Sequence, residues 1–413
     1  MATVRLLILL GTFVLIAVQQ LPGVRLNRPA ASLLGAVAMV TIGRLPLRDA
    51  YAAIDLNVMV FLLGVLLLTG YLELGGFFEW VAVRIVRRAR SARILLALVI
   101  GVSGVLSAFF VNDTICLVLT PLVVVVVRAL GFRPLPFLLG VALASNAGSA
   151  ATPTGNPQNM LITVASGIHF ARFVISLVLP AAGALAIVFV VLALVHRRDL
   201  AAAPLPHADA AAAPARPFDR ALVTRALVVF GGALVGWLAG LPLPVVAITA
   251  AAVLVAVAQR DPTEAFATVE WPLLLFFGAL FVVMRGVRDV PLVISLTTAA
   301  GAQLHGARVH DATIVSAAMV ALSNLVSNVP AVLLWLPVVP KLADTTFVWL
   351  VMAMSSTFAG NLTLIGSLAN IIVAERAQAR GVRIGFADYL KVGIPVTLLT
   401  LAWGILVLAL VTP

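Results

Sequence analysis

An uncharged run, SNAGSAATPTGNPQN (145–159), lies between two strongly apolar stretches, FLLGVALA and MLITVA. Its functional groups are amides and hydroxyls: Asn146, Ser149, Thr152, Asn156 and Asn159, with Gly155 and Pro157 among them. Amides and hydroxyls donate and accept without carrying charge, so they can replace the water around a small ion. Helix breakers at the same place free backbone groups: carbonyls suit a cation and amides suit an anion. Pro157 fits the first turn of a new helix with Asn156 as its cap. Gly148 and Gly155 are the positions at which the preceding helix is expected to open. A second run, SSTFAGNLTLIGSLAN (355–370), offers the same parts in Gly360, Asn361, Thr363, Gly366, Ser367 and Asn370.

Two further stretches supply helix starts. VNDTICLVLTP (111–121) contains Asn112, Asp113 and Thr114, and SNVPAVLLWLP (327–337) contains Ser327 and Asn328. Helices are expected to begin at 115 and 331, each presenting unpaired amides and the positive dipole end toward the centre. Several such ends converging on one cavity favour an anion. Asp113 is the one acidic side chain placed near the middle of the membrane, and Val329 occupies its place in the other copy. A carboxyl there is a functional candidate by default, as a cation ligand or a proton carrier. A Na+ site at Asn112, Asp113 and Thr152 is one expectation. A capping carboxylate is the alternative.

The elements that must position these groups are membrane helices. The chain of 413 residues is 62% apolar and 10% charged, against about 25% charged in a soluble domain. Apolar segments of bilayer-spanning length recur near 4–20, 29–43, 56–74, 94–127, 136–166 and 173–195, then from 221 to 411. The first of them lacks a cleavage signature and reads as a membrane helix. The polar stretch 196–220 reads as a cytoplasmic linker. The Asn-to-Pro spacing is nine residues in both 112–121 and 328–337, and T-x-x-G-x-x-x-N recurs at 152–159 and 363–370. The fold expected is all-α and polytopic: repeats at 1–195 and 221–413 around the linker 196–220, with about ten spans, two re-entrant hairpins and two broken helices. Arginines at 84–93, 128 and 133 place both ends of the segment 94–127 on the cytoplasmic side, which makes it a hairpin and inverts the second repeat. Arg285, Arg288 and Arg308 then fall on the outer side. The stretches 76–93 and 288–304 read as surface helices.

Composition also narrows function. The net charge of +11 sits in short loops rather than in a domain that would hold nucleic acid. Cys116 is alone, so no intrachain disulfide forms. No H-E-x-x-H or paired catalytic set lies at membrane depth, so an enzyme is not expected. No cofactor is expected beyond a coupling ion, H+ or Na+.

At these motifs the chain resembles the ion transporter superfamily, which includes divalent anion/sodium symporters, citrate transporters, arsenite-efflux permeases and sodium/proton antiporters. VNDTICLVLTP looks like the hairpin of the citrate/arsenite permease branch. It departs from the Ser-Asn-Thr tip of the dicarboxylate symporters, with Val111 in place of Ser and Asp113 between Asn112 and Thr114. The resemblance covers about residues 30 to 411. It implies a secondary carrier, often a homodimer, with a scaffold and a moving transport domain. It also implies one clamp at Asn112, Thr114 and 152–156 and another at Asn328 and 361–367. The function expected is transport of a small anion across a bacterial inner membrane, coupled to H+ or Na+ by an elevator motion. Sodium/proton antiport and metalloid efflux are the alternatives.

Overall fold

The computed structural model describes residues 1–18, 20–21, 24–201, 217–342 and 344–411. Apart from a short antiparallel pairing of Gln20–Leu21 with Val24–Arg25, its regular structure is helical, with twenty α-helices among the described residues. The expected linker is described at its ends, where Asp199–Ala201 forms a 3-10 turn; 202–216 lie outside the described residues.

Ten helices precede the linker: α1 (Ala2–Val18), α2 (Arg28–Thr41), α3 (Leu47–Ala53), α4 (Leu56–Leu74), α5 (Phe77–Arg88), α6 (Ala92–Phe109), α7 (Asn112–Ala129), α8 (Leu135–Ser149), α9 (Pro157–Ser166) and α10 (Phe170–Val195). Ten follow it: α11 (Arg220–Leu238), α12 (Leu243–Val257), α13 (Pro262–Thr268), α14 (Trp271–Arg288), α15 (Pro291–Ala302), α16 (Arg308–Val326), α17 (Asn328–Trp335), α18 (Thr345–Ala359), α19 (Leu368–Gln378) and α20 (Phe386–Val411). The two series match in order and, apart from α7 with 18 residues against α17 with 8, nearly in length. Seven-residue helices, α3 and α13, precede α4 and α14, and 26-residue helices with an internal proline, α10 and α20, close each series. Packing is reciprocal as well: α4 lies on α12 and α14 on α2, while α9 lies on α18 and α19 on α8.

Eight helices (α4, α6, α7, α10, α11, α14, α16 and α20) are long and apolar enough to cross a membrane, and α1, α2, α8, α12 and α18 are shorter apolar helices. Phe110 and Val111 alone join α6 to α7, which pack on each other, and Ser327 alone joins α16 to α17. These are the two hairpins. Their second helices start earlier than expected, at Asn112 and Asn328 rather than 115 and 331. The carbonyls of Val111 and Ser327 already accept helical bonds, from Ile115 N at 3.2 Å and Ala331 N at 3.1 Å. Asn112, Asp113 and Thr114 therefore form a first helical turn.

The polar runs interrupt helices as expected. The chain leaves α8 at Ser149, makes a 3-10 turn at Pro153–Gly155 and restarts as α9 with Asn156 as its cap. The second copy leaves α18 at Ala359 and restarts at Leu368. The expected role of Gly148 as an opening point is corrected: it lies inside α8, and a Cβ there would stand 2.1 Å from the carbonyl oxygen of Gly104 in α6. It is a packing residue that lets two backbones touch. Gly155 is set by proximity too, since a Cβ would come within 2.2 Å of the Ser149 oxygen.

Helices α1, α2, α4, α11, α12 and α14 pack among themselves, as do α6–α10 with α16–α20. The short helices α5 and α15 run between these two groups in sequence, where the surface helices were expected.

Candidate functional site

The interrupted helices meet in a buried layer of amides and hydroxyls. Asn146, near the end of α8, is at its centre. Its Nδ2 donates to Asn361 Oδ1 at 2.9 Å and to Asn370 Oδ1 at 3.1 Å, and its Oδ1 accepts from Asn112 Nδ2 and Ser367 Oγ, both at 3.0 Å. One side chain thus joins the first hairpin, the first interrupted helix and the second. The pseudo-equivalent contact uses Thr357 of α18, whose hydroxyl accepts from Asn156 Nδ2 at 3.2 Å and Gln158 Nε2 at 3.4 Å.

The orientation of the amides follows from their partners. Asn361 Nδ2 is held by the Leu143 carbonyl at 3.1 Å, and Asn370 Nδ2 by the Gly360 and Thr363 carbonyls at 2.7 and 3.2 Å. Both therefore turn an oxygen to Asn146, which must answer with Nδ2 and keep its oxygen for Asn112. Asn112 in turn must donate, and its own Oδ1 is left buried without a protein partner. Thr114 Oγ1 and Asn328 Oδ1 are in the same condition. Asn159 Oδ1 is unpartnered as well, and since buried polar atoms are normally satisfied, these four leave hydrogen-bonding capacity open to a ligand or to water.

The freed carbonyls were expected to face a ligand, and here the structure corrects the reading. Asn159 Nδ2 binds the carbonyls of Ser149 and Thr152 at 3.1 and 3.0 Å, ten and seven residues earlier. Asn370 repeats this on Gly360 and Thr363, also ten and seven residues earlier. Each asparagine stitches its own break together. The two threonines then tie break to hairpin. Thr152 Oγ1 donates to the Ala108 carbonyl, and Thr363 Oγ1 donates to Asn324 Oδ1 at 2.9 Å. Ala108 and Asn324 stand four residues before Asn112 and Asn328 respectively. Gly366 is needed beside them, because a Cβ would meet Asn324 Oδ1 at 2.6 Å.

Asp113 is 4% exposed and lies in the first turn of α7, whose cap position, Val111, makes no side-chain cap bond. Asp113 is thus not the cap residue. Its charged neighbours are Glu270 and Arg28. A cavity of about 310 Å³ opens beside α7 at Leu117, lined by Arg28 and Glu270 from one helix group and Glu375 and Arg376 from the other. Arg28 Nε is buried there without a hydrogen-bond partner and interacts electrostatically with Asp113 and Glu375. A second cavity, about 620 Å³, is lined by Asp49, Asp55, Arg285 and Asp289 beside α9 and α17. Two of the three arginines expected on the outer side are paired: Arg285 with Asp49 and Asp289 at 3.3 and 2.5 Å, and Arg308 with Asp344 at 4.0 Å.

Sequence reasoning missed Asn324, Thr357, Gln158 and Arg28. Asn324 was legible, one helical turn before Asn328. Arg28 looked like one more loop arginine, and only packing brings it to Asp113. Among the described residues no group of three or more His, Cys, Asp or Glu is placed to hold a metal ion.

A family model described as citrate transporter matches residues 13–359. The silicon efflux transporter LSI3 of Oryza sativa subsp. japonica is 32% identical over 461 residues, covering 96% of this chain and 95% of the relative. The 46 kDa membrane protein of Mycobacterium leprae is 28% identical, with 97% of each chain covered. Among solved structures, the YdaH transporter of Alcanivorax borkumensis superposes with a TM-score of 0.56 at 17% identity, covering 98% of this chain and 96% of that one.

Proposed function

The chain belongs to the citrate transporter family, and on that premise we propose that it carries a small anion across the bacterial inner membrane, coupled to H+ or Na+. It is a membrane transporter whose two halves are inverted repeats, 1–195 and 221–413. The observation that carries the reading is the joining of two hairpin-and-break units through Asn146 and Thr357. Around that layer lie the starts of α7, α9 and α19, whose positive ends stabilise negative charge. The start of α17 belongs with them: a Cβ on Gly360 would stand 3.2 Å from Asn328 Nδ2. In this reading α6–α10 and α16–α20 move as one body against the rest, an elevator motion that exposes the layer to each side in turn. Asp113 senses the coupling ion, and the carrier is a homodimer.

A second reading, cation/proton antiport, has its own support. The groups left at the first hairpin, Asn112 Oδ1, Thr114 Oγ1 and the Asp113 carboxylate, are all oxygens, which suit a hard cation. The test is internal pH in proteoliposomes under imposed gradients of Na+ and Li+, then of carboxylates and oxyanions. Silicic acid joins that panel because one relative is named for silicon efflux. A pH change requiring one anion supports the first reading. A pH change driven by Na+ or Li+ alone overturns it in favour of the second.

A further inference from the structure

The helix α5 builds a pocket that shares no lining residue with the Asn146 layer. Its Trp80 indole is sandwiched in a cluster. The Arg84 guanidinium carbon stands 4.0 Å from the ring centroid, Phe218 stacks on the ring at 5.4 Å and Phe77 at 6.3 Å. Phe218 is delivered by the chain entering α11, where Asp219 N donates to the Gly75 carbonyl at 3.0 Å. The result is a cavity of about 420 Å³ with Arg84 and Arg220 among its lining and Phe77 and Leu227 as apolar wall. Among the described residues no carboxylate lines it. Glu79, which adjoins Trp80, is buried, and Asp219, which adjoins Arg220, is engaged by Arg260 at 2.8 Å and by Leu222 N at 3.0 Å. That guanidinium holds the Asp219 carboxyl below its usual range, so it stays charged and committed to Arg260. Arg87, Arg88, Arg90 and Arg93, which follow in sequence, are exposed as well.

The matching helix of the other half, α15, carries no basic residue at all. The basic, aromatic character of α5 is therefore not a requirement of the repeat architecture. Anionic headgroups enrich the cytoplasmic leaflet, and arginines at the interface attract them, while aromatic rings sit at headgroup level. We infer that the pocket between α5 and the start of α11 binds the phosphodiester of an anionic phospholipid, with Arg84 and Arg220 on the phosphate and the acyl chains along Phe77 and Leu227.

The test is native mass spectrometry of the full chain equilibrated with equal phosphatidylglycerol and phosphatidylcholine. The wild type retains phosphatidylglycerol. Arg84→Gln/Arg220→Gln lowers that preference by about thirtyfold, from two lost interfacial charges. Arg380→Gln/Arg383→Gln, with the same charge loss elsewhere, leaves it intact. Equal loss in both double variants overturns the site, as does displacement of the lipid by millimolar inorganic phosphate. If the first variant does not fold, the wild-type protein still decides. Brominated phosphatidylglycerol quenches a fluorescence component that Trp80→Phe abolishes, and equal quenching by brominated phosphatidylcholine overturns the inference.

Discussion

At the scale of residues, the buried asparagines divide into two kinds. Asn159 and Asn370 spend their donors on backbone carbonyls of their own breaks. An orphaned buried carbonyl costs about 1–3 kcal/mol, so Asn159→Ala or Asn370→Ala should destabilise the protein by about 2–5 kcal/mol and depress its melting temperature. Asn112 and Asn328 stand instead at the hairpin tips and, like Asn159, each keep an oxygen without a partner. Asn112→Ala leaves Asn146 Oδ1 still served by Ser367, so Asn112→Ala and Asn328→Ala should fold normally, as judged by melting and gel filtration, yet carry no flux. Normal flux in either would sink the clamp reading. Asp113 and Arg28 form a third kind, a carboxylate on α7 facing a guanidinium on α2. A fixed positive charge beside an ion-binding carboxylate repels the bound cation. Asp113→Asn should therefore remove the Na+ or pH dependence of flux. Arg28→Gln should tighten apparent cation affinity several-fold while slowing turnover. Unchanged cation dependence in Asp113→Asn would make that residue structural.

At the scale of elements, the second hairpin holds its tip under strain. Ser327 adopts φ 78° and ψ 160°, a region open almost only to glycine and costing other residues about 1–3 kcal/mol. Ser327→Gly should raise the melting temperature. If the strained turn is what aims Asn328, the same change should weaken substrate binding. Gly148→Ala drives a methyl into the Gly104 backbone, which cannot step aside as a side chain would. It should destabilise by about 1–3 kcal/mol and separate α6 from α8, read as lost protease resistance. The elements were largely legible beforehand because breaks at membrane depth are written in Gly, Pro and Asn, as in SNAGSAATPTGNPQN. What was not legible was where each helix restarts. Val111 and Ser327 are the helix-start positions and neither makes a side-chain cap bond: valine gives no sign of a first turn, and Ser327, a common cap type, does not act as one. Glycine roles were also misjudged, since Gly148 looks like a hinge in sequence and only the neighbouring helix shows it to be a contact.

At the scale of the whole molecule, two helix groups meet along a seam, and its charges come from both sides. Arg28 and Glu270 belong to α2 and the start of α14, Glu375 and Arg376 to α19, and all four line one cavity. The repeat was readable in sequence because its motifs recur in order. The seam was not, because α2 and α14 lie far apart in the chain and reach α7 and α19 only through packing. An elevator motion requires the seam to slide, whereas a fixed pore would leave it closed. Phe276 of α14 and Ile372 of α19 line the same cavity from opposite groups. In a Cys116→Ser background, Phe276→Cys/Ile372→Cys bridged by a short bifunctional thiol reagent should stop flux, while either single variant treated identically should retain it. Mass spectrometry of the intact chain reports the fraction bridged, and flux should fall in proportion to it. A fully bridged protein that still transports at the unbridged rate would show that these two groups do not move past each other at this cavity. The alternating exposure of the Asn146 layer would then have to come from the hairpin tips alone.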